Sequence, residues 1–266
     1  MSGRGPVLLL ALTLVVGGTA AAAAGAGSRG PESGGAGRGH VRPLPFHYDF
    51  YTFRGPGGRT AVVSAFAVKA GHLETETMGD RVRYRFSVTL VLADTALRTI
   101  SNTHDTVYVA VPRAVDDEHL LYTHVEVHAP PSSTTRQRVI MMDATTPGIG
   151  QLYTDEYAIP DYSGAQMMLS DIALGQPGAV SGWRRNGITL ALLPTSQFPS
   201  SAFDVYYEIY NLPEGHEYTT EIAIRRAEAG DAEPVRLRFV GKSTAADDAA
   251  QDVPAPLVRG DDAVRD

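Results

Sequence analysis

Along most of this chain apolar and polar side chains trade places every second residue, the beat of a strand with one face buried. The clearest run spans residues 82–92, where Val82, Tyr84, Phe86, Val88, Leu90 and Leu92 alternate with Arg83, Arg85, Ser87 and Thr89. Shorter strand-like runs occupy 48–53, 61–68, 106–111, 121–128, 138–142 and 152–159. Turn formers separate most of them: Gly55-Pro56-Gly57-Gly58, Gly79-Asp80, Pro130-Pro131 and Pro147-Gly148. Short strands at this spacing predict an immunoglobulin-like β-sandwich over 45–162.

Past Pro160 to Gly164 the beat resumes at 167–174, 188–193, 203–212, 218–225 and 235–240. These runs predict a second, smaller antiparallel β unit over 163–241, so the expected class is all-β. In its central run Phe203, Val205, Tyr207 and Ile209 point to a core, and Asp204, Tyr206, Glu208 and Tyr210 point to solvent. Pro213-Glu214-Gly215 then predicts a hairpin into 218–225. Two stretches have too few large apolar groups to repay the entropy of ordering. They are the Gly-rich segment 25–44, expected to be a flexible linker, and the acidic, Pro-broken segment 242–266, expected to be a disordered tail.

The second unit carries Met168-Leu169-Ser170-Asp171-Ile172-Ala173-Leu174, then Arg185-Asn186-Gly187-Ile188, Leu193-Pro194 and Val205-Tyr206-Tyr207-Glu208-Ile209-Tyr210-Asn211-Leu212. This order resembles the C-terminal β-sandwich region of bacterial GWxTD-domain proteins, over roughly 60–240 and most closely over 167–212. The helical region with the family's Gly-Trp-x-Thr-Asp signature is absent. Gly182-Trp183 runs on into Arg184-Arg185-Asn186 and is expected to lie in a loop. The resemblance implies an exported protein made of the sandwich portion alone, with motifs that are structural and transfer no catalytic residue.

The N-terminus changes the picture further. Arg4, the apolar run 7–16 and small residues through Ala24 follow the order of a secretory signal peptide, expected over 1–24 with cleavage after Ala22, Ala24 or Ala26. The apolar run is too short to cross a hydrocarbon core of ~30 Å comfortably, so the mature chain is expected to have no membrane span and to be periplasmic or extracellular. With no cysteine among 266 residues, neither disulfides nor lipid attachment to a cysteine is possible. A formal net charge of −7 argues against nucleic acid as a partner. The expected partner is another envelope protein or an envelope polymer.

Three constellations carry possible chemistry, and no cofactor is expected. His124, Glu126 and His128 share one strand face and are a usable ligand set for a divalent metal. Same-face neighbours on a strand lie ~7 Å apart, which stretches ligation of one ion by all three, so a solvated face competes with the metal site. Arg81, Arg83 and Arg85, with Arg136 and Arg138 on a later strand, would bind an anionic polymer if they converge; protection of strand edges is the competing account. Tyr206, Glu208 and Tyr210 offer a polar aromatic face for a partner or for packing between the β units. The acidic loop Asp116-Asp117-Glu118-His119 lacks the spacing of a calcium loop. G-x-S-x-G, phosphate-loop, dinucleotide and H-E-x-x-H motifs are also missing from the sequence. The expected role is a non-enzymatic binding or structural module of the bacterial cell envelope, with metal binding and anionic-polymer binding as alternatives.

Overall fold

A computed structural model describes residues 8–16, 42–146, 148–154, 156–176, 179, 181–194, 202–211, 217–226, 235–242 and 248–256. The protein is all-β, with strands in a multi-sheet, sandwich-like arrangement. In chain order the strands are β1 (Leu8–Val16), β2 (Arg42–Pro43), β3 (His47–Arg54), β4 (Thr60–Lys69), β5 (Thr75–Met78), β6 (Arg81–Ala93), β7 (Thr99–Val111), β8 (Leu120–Ala129), β9 (Ser132–Asp143) and β10 (Gly148–Tyr153). They continue as β11 (Tyr157–Ile159), β12 (Met168–Leu169), β13 (Ala173–Gln176), β14 (Trp183–Arg185), β15 (Ile188–Leu192), β16 (Ala202–Tyr210), β17 (Glu217–Arg226), β18 (Val235–Lys242) and β19 (Asp248–Pro256). The chain divides into two compact units, one of Ala21–Phe50 with Gly55–Asp161 and one of Met1–Ala20, Tyr51–Arg54 and Tyr162–Asp266. Strand β3 therefore contributes residues to both.

The first unit holds a seven-stranded sheet, in the order β2-β10-β9-β6-β5 with β7 on β6 and β11 on β9. A second sheet runs β3-β4-β8. Alternation in β6 does what its sequence implies: Tyr84, Phe86, Val88, Leu90 and Leu92 are buried, and with Val139 and Met141 of β9 they form one layer of the core. Val62, Phe66 and Val68 of β4 and Leu121, Val125 and Val127 of β8 form the other. Two sheets hiding their apolar faces against each other make this unit a β-sandwich, and each large side chain so buried contributes about 1.5–3 kcal/mol. Strand β4 breaks the alternation, being buried from Thr60 to Val68, because it is the central strand of its sheet and is covered on both faces.

In the second unit a six-stranded sheet has the order β12-β16-β13-β15-β14, with β19 on β16, and a three-stranded sheet runs β1-β17-β18. The apolar run expected to be a signal peptide supplies β1, parallel to β17. Within the segment expected to be a tail, Asp248–Pro256 is β19; residues 243–247 and 257–266 lie outside the described residues, as do 17–41, while the end of the segment expected to be a linker is ordered, with Arg42–Pro43 in β2 and Leu44 buried. The hairpin expected between 203–212 and 218–225 does not form. Strand β16 pairs with β12 and β13 on one edge and β19 on the other, so neither edge is free to take β17, which pairs with β1 and β18 instead. Trp183 is not a loop residue: it opens β14 and is buried, with its ring 5.0 Å from that of Phe53 and 5.3 Å from that of Tyr206.

Candidate functional site

The densest polar cluster among the described residues surrounds Glu208, in the middle of β16. The sequence placed this face of the strand in solvent, but Tyr206, Glu208 and Tyr210 are 0%, 3% and 1% exposed. A carboxylate enters an apolar interior only when its charge and lone pairs are matched, and here they are. Arg185 binds it in a fork, Nε to Oε1 at 2.5 Å and Nη2 to Oε2 at 2.9 Å. Asn186 Nδ2 donates to Oε1 at 2.8 Å, and the hydroxyls of Tyr206 and Tyr210 donate to Oε1 and Oε2, each at 2.5 Å.

Local structure aims these donors. Arg185 ends β14 and Ile188 begins β15, leaving a two-residue turn at Asn186-Gly187. Both turn residues have positive φ, 48° and 81°, which suits the twist of a tight hairpin and explains the Asn-Gly pair. Tyr206 and Tyr210 reach the carboxylate from positions two residues either side on the same strand face. Burial pushes the Glu208 pKa up, but the hydrogen bonds from Arg185, Tyr206 and Tyr210 outweigh it and hold it below the usual carboxylate range. Burial and the adjacent carboxylate push both tyrosines up.

The network continues through residues of β3. Arg54 N donates to Tyr210 Oη at 2.8 Å, its guanidinium lies 4.4 Å from the centre of the Tyr210 ring, and its Nη2 donates to Asn211 Oδ1 at 2.9 Å. Arg185 Nη2 also donates to the Arg54 carbonyl at 2.6 Å. Asp171 accepts from Thr52 N at 2.7 Å and Thr52 Oγ1 at 2.6 Å, and Tyr162 Oη lies 2.9 Å from the same Thr52 hydroxyl. Burial pushes the Tyr162 pKa up to about 12. The sequence marks Tyr206, Glu208 and Tyr210 as a candidate face, names Arg185 and Asn186 only within a structural run, and does not single out Arg54; the Asn-Gly turn signal beside Arg185 is the available clue.

The remaining candidates lie in the first unit. His124, Glu126 and His128 do share the face of β8 opposite buried Val125 and Val127. His128 Nε2 is 3.1 Å from Glu126 Oε1, while burial lowers the His124 pKa against the pull of Glu126 and Asp105. No group of three or more His, Cys, Asp or Glu among the described residues is placed to hold a metal ion.

The five arginines do not converge. They share the outer face of the β6–β9 pair, but Arg136 and Arg138 sit opposite Ala93 and Val91. That is about 20 Å along β6 from Arg85, at ~3.3 Å per residue. Acids and amides already meet them: Arg83 and Arg85 both contact Glu76, Arg136 Nε donates to Glu156 at 3.1 Å, and Arg138 Nη2 donates to Gln151 at 3.0 Å. A half-open cavity of about 830 Å³ beside Arg136 and Arg138 is lined also by Val91, Leu97 and Glu156. The acidic loop is tied down too, since Lys69 pairs with Glu118, and Gly71 N donates to the Asp117 carbonyl at 2.9 Å. No protein-family model matches this chain, and no curated protein sequence matches it.

Proposed function

We propose that this chain is an exported, non-enzymatic β-sandwich module of the bacterial cell envelope, serving as a binding or structural part. The observation that supports this most is the state of Glu208. A carboxylate that works as a general base or nucleophile must reach substrate and exchange a proton. Glu208 has its oxygens filled by five donors and its charge neutralised by Arg185, so the densest polar cluster among the described residues acts as a clamp between strands. The signal-like order of residues 1–24 supports export. Cleavage after Ala22, Ala24 or Ala26 would remove β1 and leave β18 as the one described strand paired with β17.

The test is expression of the full chain, with a C-terminal tag, in a Gram-negative host, followed by fractionation and intact-mass measurement. The expected product is a processed chain in the envelope fraction beginning at residue 23, 25 or 27, which co-purifies with an envelope component whether or not Glu208 is replaced by Gln. Unprocessed chain confined to the cytoplasm would overturn export. A metabolite turned over by wild type and not by Glu208→Gln would overturn the non-enzymatic role.

A further inference from the structure

The cavity of about 830 Å³ in the first unit lies where the end of β6 and the first half of β9 meet the β6–β7 turn. That volume is within the range of small-molecule pockets. In the ladder between β6 and β7, Leu92 faces Ser101 but Ala93 faces Thr99, so Ile100 is the extra residue of a β-bulge at the rim. Bulges bend a strand, re-aim its side chains and gather next to active sites. Asp94 then ties the turn. Its carboxylate accepts from Arg98 N at 2.9 Å and Arg98 Nε at 2.7 Å, and its carbonyl accepts from Leu97 N at 2.9 Å. The turn so held keeps Leu97 at a φ of 61°, which a leucine adopts only at a cost, with its side chain 68% exposed. An apolar side chain held in water by a strained backbone, on the wall of a cavity, has a use when a ligand covers it.

Opposite Ala93 and Val91 stand Arg136 and Arg138, same-face neighbours on β9 about 7 Å apart. Arg136 sends Nε and Nη2 to one oxygen of Glu156, Oε1, at 3.1 and 2.5 Å. Both partners are nearly half exposed, so water screens the pair and it contributes little. A ligand's carboxylate can therefore share Arg136 with Glu156 at small cost. Arg138 is oriented by donating to the neutral amide oxygen of Gln151 at 3.0 Å. The charged lining is two guanidinium groups to one carboxylate, which favours an anion over a cation. The apolar lining is aliphatic, with no aromatic ring among the described residues to stack a sugar or a base. We propose that this cavity binds a small organic acid, its carboxylate on Arg136 and Arg138 and its short aliphatic chain against Val91, Ala93 and Leu97. The site rests on the binding role proposed above, but purified full chain suffices to test it, so its failure would leave export and the non-enzymatic role standing.

Calorimetric titration of the full chain with sodium octanoate is expected to show saturable one-to-one binding, with octanol and octylammonium each about tenfold weaker or more. Methyl NMR signals of Leu97 and Val91 should move along the same titration. Arg136→Gln combined with Arg138→Gln should weaken octanoate about tenfold, with an unchanged circular dichroism spectrum. Glu156→Gln should instead tighten it about threefold, because the competing carboxylate is gone. A pair that only braced the strands would not give opposite signs for its two members. Leu97→Gly should weaken binding several-fold while the protein becomes no less stable, which separates a lost contact from a lost fold. No octanoate binding at millimolar concentration would overturn the proposal. So would octanol or octylammonium binding as tightly as octanoate, methyl shifts confined to other residues, or a Glu156→Gln variant that binds no more tightly than wild type.

Discussion

Arg185 and Glu208 lie 23 positions apart in the chain and meet through two parallel hydrogen bonds in the interior of the second unit. Removing one member of a buried ion pair costs more than the pair itself contributes, because the survivor is left charged and unmatched. Arg185→Met is accordingly expected to lower unfolding stability by about 3–5 kcal/mol. Adding Glu208→Gln to that variant should recover part of the loss, since the amide carries no charge. Urea titration followed by tryptophan fluorescence reads this directly, because buried Trp183, the one tryptophan, packs against Tyr206.

Acid should weaken the second unit through the same carboxylate. The folded-state pKa of Glu208 is lowered, so its contribution is full above the ordinary glutamate range and is lost as pH falls through the lowered value. In the first unit, burial lowers the pKa of His124, and burial together with Lys69 and His72 lowers that of His47. The unfolded chain binds these protons more readily, so stability should begin to fall once pH drops below about 6.5, the ordinary histidine value. Thermal unfolding from pH 8 to 4 should show this earlier decline in wild type and a smaller one in a His47→Gln/His124→Gln variant.

Gly182→Ala should be among the most damaging single-methyl changes. Gly182 has φ of 147°, and a Cβ there would lie 2.3 Å from the Leu190 carbonyl oxygen, a backbone atom that cannot swing aside. Steric strain of this kind falls in the range of about 1–3 kcal/mol or more. The unfolding midpoint reports it, and no change would mean that β14 and β15 separate more easily than their pairing implies.

Leu97 should respond in the opposite direction. It holds a left-handed φ of 61° at the tip of the β6–β7 turn and is 68% exposed, so its side chain gains little from the conformation it endures. That conformation costs a leucine roughly 1–2 kcal/mol, part of which glycine would give back as lost chain entropy. Leu97→Gly is expected to raise the midpoint slightly, and a loss of stability would show that the leucine packs in solution.

The all-β class was legible because long stretches such as residues 82–92 have a core on one side and water on the other. Other parts were harder to read for identifiable reasons. Polar residues on one face of β16 look the same in sequence whether they meet water or an arginine folded over them, and the arginine comes from another strand. The first half of β7 has no beat because Ser101, Asn102, Thr103, His104 and Asp105 are all polar, so 106–111 marked only its apolar end. The expected hairpin after β16 failed because two separate partners, β13 from before it and β19 from after it, already occupy its edges. Local turn chemistry carries no information about such distant competitors.

Strand β3 has a further consequence for cutting the chain into pieces. Tyr51–Arg54 belong to the unit that also holds Met1–Ala20 and Tyr162–Asp266, with Thr52 bonded to Asp171 across 119 positions. The second unit is therefore not encoded by one continuous stretch of the chain. A gene fragment starting near residue 162 would leave Asp171 without its threonine and Tyr210 without its arginine.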